Sequence, residues 1–367
     1  MKRKLATIMF ILCFLGTACS NVSLDSSELK EPIEEENLES PQYGGTINLA
    51  TTSKLDLDPL KANDDEIKGV LSLIYEGLVY IDGQGMVQPA LTESWQIGDN
   101  GRTYVMKLRT DVKWHNGEDF SASDVKATFD KILELKKQRD FRTEFLEFDN
   151  IQSYEASDKN TFTISLSKPD ANFLYRMDRG ILPKSLLETV EVNEGQNIEE
   201  PVSEFIGTGP FIVTDRSGDL INLKRNEDYF GEIPYIEKIN IRIYPDELSI
   251  KEAFTKGDID IITIEPMDWN VFQEMEDVYL LQTPSRYLEF LAVNLNNPIL
   301  NDVKVRQAML MGIDRNRILQ DTVIGRGLAM DGPVFPYSWA FNSQIQPIPH
   351  NKKRAAQLLE SAGWETE

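Results

Sequence analysis

Cysteine and histidine are nearly missing from this chain, with two of each in 367 residues. Cys13 and Cys19 both fall near the amino terminus, so the folded part that follows has no disulfide and draws its stability from core burial. A zinc site assembled from His and Cys lacks its ligands, because His115 and His350 are far apart with no Cys beside either. A nucleophile triad would need one of the same two imidazoles. His115 lies in a polar turn beside Asn116-Gly117, where a solvated ring is expected, and His350 follows Pro349 just before a helix, a structural setting. Basic charge is also short: 38 Lys and Arg stand against 60 Asp and Glu, for a formal net charge of −22. That balance excludes nucleic-acid binding, which needs a basic footprint. It confers solubility and is compatible with cationic ligands. Gly207-Thr208-Gly209-Pro210 and Gly325-Arg326-Gly327 lack the spacing and the lysine of a phosphate loop. Asp99-Asn100-Gly101 lacks the later ligands of a calcium loop. With no metal set, triad or cofactor motif in view, the sequence describes a receptor more readily than an enzyme, and no cofactor is expected.

What is present starts at the amino terminus. Lys2, Arg3 and Lys4 precede an apolar run over residues 5–15, the size of a signal-peptide core. It is too short for a membrane span, which takes roughly 20 apolar residues. The run ends in Leu15-Gly16-Thr17-Ala18-Cys19, which resembles a bacterial lipobox, with Gly16 where Leu is favoured. The expectation is a signal peptide over 1–18, lipid on Cys19, and a membrane-anchored protein outside the cytoplasmic membrane, at the cell surface or in the periplasm. Residues 19–42 then read as an acidic tether. Asp25, Glu28, Glu31, Glu34, Glu35, Glu36 and Glu39 crowd into it with Pro32 and Pro41, and self-repulsion keeps such a segment extended.

Organised sequence begins at Tyr43, and the length suggests about two domains. Residues 46–50 read as a strand. Ile67, Val70, Leu71, Ile74 and Leu78 recur at helical spacing, with Asp64 or Asp65 as cap. Tyr104, Met106 and Leu108 share one strand face, as do Phe162, Ile164 and Leu166. Between them Ser121 or Ser123 caps a helix whose buried stripe is Val125, Phe129, Ile132 and Leu133. Ile221 with Leu223, and Ile239, Ile241 with Ile243, predict two further strands, and residues 258–262 another. Asp302 and Asp314 cap helices, and a last helix over 352–362 buries Ala355, Leu358, Leu359 and Ala362. Strands and helices in this order make a mixed α/β protein.

Many ordered blocks then carry a resemblance. Gln88-Pro89-Ala90-Leu91-Thr92-Glu93-Ser94-Trp95, Val112-Lys113-Trp114-His115-Asn116-Gly117-Glu118, Gly207-Thr208-Gly209-Pro210-Phe211, Asn226-Glu227-Asp228-Tyr229-Phe230-Gly231 and Ala355-Ala356-Gln357-Leu358-Leu359-Glu360-Ser361-Ala362-Gly363 are the clearest. They resemble family 5 of the bacterial extracellular solute-binding proteins, the peptide- and nickel-binding group. The resemblance implies a periplasmic-binding-protein-like two-lobe α/β fold of the class with an extra subdomain. Residues 43–82 and 202–291 would form the first lobe, 83–201 the subdomain, 286–294 the hinge crossing, and 292–367 the start of the second lobe. Relatives continue well past the Ala-Gly-Trp block, so the second lobe is expected to be incomplete. Exposed apolar helix faces and loss of tight binding are expected to follow.

The implied function is an ABC importer receptor that holds short peptides in the interlobe cleft, works with a permease and ATPase, and acts as a monomer. Peptide ligands in this family add as a strand, and closure is stabilised by their preference for the closed form. The cleft residues implied are Ser53, Lys54, Trp269, Tyr287 and Asn294. Two alternatives stay open: a lipid-anchored peptide receptor for signalling or chaperoning without import, and a same-family receptor for nickel or another solute.

Overall fold

Glycine opens the first strand: Gly44 and Gly45 both hold positive φ, and the chain then runs straight into an eight-residue strand. In the computed structural model the described residues are 41–54, 57–61, 65–138, 145–189, 205–283, 287–336, 338, 340–345 and 347–365. The signal peptide, Cys19, nearly all of the tether, Asp64 and Arg286 lie outside them.

The chain proceeds through β1 (Gly44–Thr51), α1 (Asp65–Leu71), the hairpin β2 (Val79–Ile81) and β3 (Val87–Pro89), then β4 (Thr92–Gly98), β5 (Thr103–Leu108) and α2 (Ala122–Leu135). It continues with β6 (Ile151–Asp158), β7 (Thr161–Leu166), α3 (Lys184–Thr189), β8 (Phe211–Ser217), β9 (Leu220–Arg225) and β10 (Ile236–Ile243). Helices α4 (Glu247–Thr255), α5 (Trp269–Gln273), α6 (Val303–Gly312), α7 (Arg315–Val323) and α8 (Lys352–Ser361) complete the order.

Two four-stranded sheets form, one ordered β1-β10-β9-β8 and the other β4-β5-β7-β6. In the first, β1 runs parallel to β10 across a long sequence gap, with Asn48 opposite Asn240 and Leu49 opposite Ile241. Ile221, Leu223, Ile239 and Ile241 bury one face of this sheet, as their period-two spacing predicts. In the second sheet Tyr104, Met106, Phe162 and Ile164 are buried, and α2 covers it with buried Val125, Phe129 and Ile132, the Phe129 and Phe162 ring centroids being 5.2 Å apart. Helix α2 starts where expected: the Ser121 N–H and hydroxyl both donate to the Asp124 carboxylate at 2.9 Å. The other Asp124 oxygen accepts from Lys184 N at 2.9 Å, tying α3 to the same cap.

Three expectations are corrected, and one helix was missed. The stripe from Ile67 to Leu78 does not stay helical. Helix α1 ends at Leu71, although Ile74 and Leu78 are fully buried. Their carbonyls are taken elsewhere: Leu73 O accepts from Phe211 N, Ile74 O from Gly209 N, and Leu78 O from Thr92 N. Residues 258–262 make only a single bridge, Leu49 with Ile261, because the Asp260 carboxylate takes Asn48 N where a further strand bond would form. Helix α8 buries Ala355 alone, with Leu358, Leu359 and Ala362 half-buried. Helix α4 was not anticipated, although Asp246 caps it by accepting from Ser249 N at 2.7 Å.

Candidate functional site

The five residues implied as cleft contacts fall on three segments. Ser53 and Lys54 follow the carboxyl end of β1, where the Ser53 amide donates to Thr51 Oγ1 at 2.9 Å and Lys54 is exposed. Trp269 opens α5. Tyr287 and Asn294 lie on an extended run outside any sheet, where Tyr287, Phe290 and Leu291 are all at least 70% exposed. Asn294 turns that run, its Oδ1 accepting from Asn296 N at 3.0 Å.

Trp269 is only 8% exposed, and Phe272 on the same helix is buried against Phe254. Its indole N–H donates to Gln273 Oε1 at 3.1 Å. The ring face is covered by Arg326, from the turn after α7, whose guanidinium carbon lies 3.6 Å from the ring centroid. Arg326 Nη1 donates to Gln282 Oε1 at 3.0 Å. Reasoning from sequence missed Arg326, since its only visible signal was a Gly-Arg-Gly turn.

The exposed face of the first sheet carries a polar strip, one strand position out of phase with its buried isoleucines. Asn240 Nδ2 donates to Asn48 Oδ1 at 2.9 Å, and Asn48 Nδ2 donates to Asp260 Oδ2 at 3.0 Å. Arg242, Tyr244 and Asp258 join Asn48 and Asn240 around a recess of about 270 Å³. A guanidinium, two amides, a phenol and one carboxylate in one recess can meet both ends of a zwitterion.

A buried polar junction sits where the second sheet's segment meets the first. His115 is not solvated, contrary to expectation. Its Nδ1 accepts from Gly207 N at 3.2 Å and its Nε2 lies 3.0 Å from Gly209 O. That pattern fixes the neutral tautomer with the proton on Nε2, and burial pushes its pKa below the usual 6.5. Both ring nitrogens are spent on backbone, so the turn of glycines is what the histidine serves. Close approach demands those glycines: a Cβ on Gly207 would lie 1.8 Å from Ile74 O. Next to it the Tyr229 phenol donates to Glu76, and Arg109 lies 4.8 Å over the neighbouring Phe230 ring. Burial pushes the Glu76 carboxyl up to about 7, against the hydrogen bond from Tyr229 and the Arg109 charge. Its Oε2 is buried without a hydrogen-bond partner. The signal for Glu76 was available, as a lone acid inside the apolar run from Leu73 to Leu78.

Comparison with known proteins now adds to this geometry. Residues 86–367 match the bacterial extracellular solute-binding proteins, family 5 middle region. The oligopeptide-binding protein AppA of Bacillus subtilis is 26% identical over 98% of this chain and 66% of its own length. Its structure with a nonapeptide overlays at a TM-score of 0.66, covering 89% of this chain and 66% of that one. NikZ from Campylobacter jejuni, in complex with Ni(L-His), overlays at a TM-score of 0.69 with 28% identity, over 88% of this chain and 64% of that one. The heme-binding protein A of Haemophilus influenzae is 29% identical over 79% of this chain and 56% of its own length. The chain thus spans two thirds or less of the length of these relatives. The overlays bear out the expected α/β class of periplasmic binding proteins. With most of its length inside the match, the chain belongs to family 5 of the bacterial extracellular solute-binding proteins.

Proposed function

We propose that this chain is the extracytoplasmic substrate-binding lipoprotein of an ABC importer, capturing short peptides between two lobes and passing them to a permease driven by an ATPase. In this reading the chain is a monomer that catalyses nothing, and it is held to the membrane by lipid on Cys19. Residues 43–82 and 202–291 make the first lobe, 83–201 the added subdomain, and 292–367 begin the second. Ser53, Lys54, Trp269, Tyr287 and Asn294 face the cleft.

One observation carries the choice of peptide over nickel or heme. The likeness to the oligopeptide-binding AppA runs over 98% of this chain, whereas those to heme-binding protein A and the nickel-binding periplasmic protein of Escherichia coli cover 79% and 80%. The chemistry of the polar strip agrees, because Arg242 with the Asp258 carboxylate and two amides suits a ligand with charge at both ends. The test is uptake of a labelled tripeptide by cells with and without the gene. Loss of uptake on deletion, restored by the gene, supports the reading. Unchanged uptake, with impaired nickel or heme uptake instead, overturns it.

A further inference from the structure

The contact between Arg326 and Trp269 is well placed but poorly satisfied. The guanidinium lies flat on the indole and gives one hydrogen bond to Gln282. Its Nε is buried without a hydrogen-bond partner. No carboxylate pairs with Arg326 among the described residues. A buried donor left unpaired costs free energy that the same group regains in water, so this arginine is held loosely for one so enclosed. The turn that delivers it is strained: Ile324, a β-branched residue, sits at φ 48° just before Gly325 at φ 77°. The nearest carboxylate on the Trp269 segment, Asp268, is already taken by Lys251 at 2.5 Å. The ring face therefore holds a cation through its π-system and one amide, within a chain whose formal net charge is −22.

We propose that the face of Trp269 is a seat for a cationic group of the ligand, a guanidinium or ammonium, and that Arg326 fills this seat until a ligand cation displaces it. Gln282 supplies the carbonyl oxygen that either cation uses. The proposal deepens the peptide reading by naming lysine- or arginine-bearing peptides as the substrate class, and it rests on that reading only for the natural ligand.

The probe is L-argininamide titrated into the full chain, with tryptophan fluorescence as readout and N-acetyl-leucinamide as the uncharged control. Arg326→Ala is expected to bind argininamide more tightly than the parent, by roughly two- to thirtyfold, with no gain for N-acetyl-leucinamide. Arg326→Gln is expected to behave alike, which covers failure of the alanine variant to fold. Arg326→Lys keeps a cation on the ring and should stay near the parent. Adding Trp269→Phe to the alanine variant should remove most of the gain, read by calorimetry. Equal affinity in parent and both neutral variants, or an equal gain for the uncharged control, overturns the seat. Uptake of labelled tripeptide reads the parent proposal separately: if it fails while the argininamide gain persists, the import reading falls and the seat stands.

Discussion

The phenol of Tyr229 donates its hydrogen bond to the Glu76 carboxylate inside a junction that also holds Arg109 and His115. The two residues lie 153 positions apart in the sequence, and their meeting makes the junction sensitive to pH. A carboxyl held at about 7 in the folded chain, against an ordinary value of 4.5, binds more protons folded than unfolded between those values. Its contribution to stability is full below pH 4.5 and is lost as pH rises through about 7. Glu76→Gln removes that titration. Measured by urea unfolding across this window, the stability of the variant relative to the parent is expected to rise with pH by up to about 3 kcal/mol. A relative stability flat with pH would contradict the buried carboxyl.

His115 tilts the curve the other way. Its folded pKa is depressed, so its contribution is full above the usual 6.5 and is lost as pH falls below it. Nitrogen NMR of the ring should show the proton on Nε2 at pH 7, and titration should begin only below the ordinary histidine range. A ring that titrates like a solvated imidazole would show that the contacts with Gly207 and Gly209 are not held in solution.

Two glycine substitutions separate close approach from backbone strain. Gly207→Ala puts a methyl 1.8 Å from the Ile74 carbonyl and is expected to cost about 3 kcal/mol or more. Gly218→Ala faces open space at φ +55° and is expected to cost only about 1–2 kcal/mol. Thermal unfolding of the pair tests the ranking.

The cap of α2 does double service. Asp124→Ala removes the acceptor for Ser121 and frees the Lys184 amide, so a loss of about 2–3 kcal/mol is expected. Ser121→Ala, which touches only the helix start, should cost about 1 kcal/mol. Equal losses would place the Lys184 contact outside the energetics.

Lipid anchoring has a direct readout. Cys19→Ser is expected to move the protein from the membrane fraction to a soluble extracytoplasmic fraction, followed by cell fractionation and immunoblot. A parent protein already soluble would remove Cys19 as an anchor.

Much of this fold is legible in the sequence where one face of an element is buried and the other is wet. Strands β5, β7, β9 and β10 and helix α2 obey that rule, although on α2 the expected Leu133 is only half-buried and Leu135 is buried in its place. The rule fails where backbone bonds between distant segments decide. Ile74 and Leu78 keep helical spacing yet sit in a non-helical stretch, because Gly209 and Thr92 take their carbonyls. The site was less legible for a related reason. Trp269 stands out by its type, but the Arg326 that covers it lies many residues on and shows no periodicity. His115 looks solvated beside Asn116-Gly117, and only the arrival of Gly207 and Gly209 buries it.

The account stands or falls on what the protein carries when taken gently from its own cells. Mass spectrometry of the retained ligand is predicted to release short peptides, enriched in lysine or arginine. Nickel complexes, heme or an unrelated solute in their place, with no peptide above background, would contradict it.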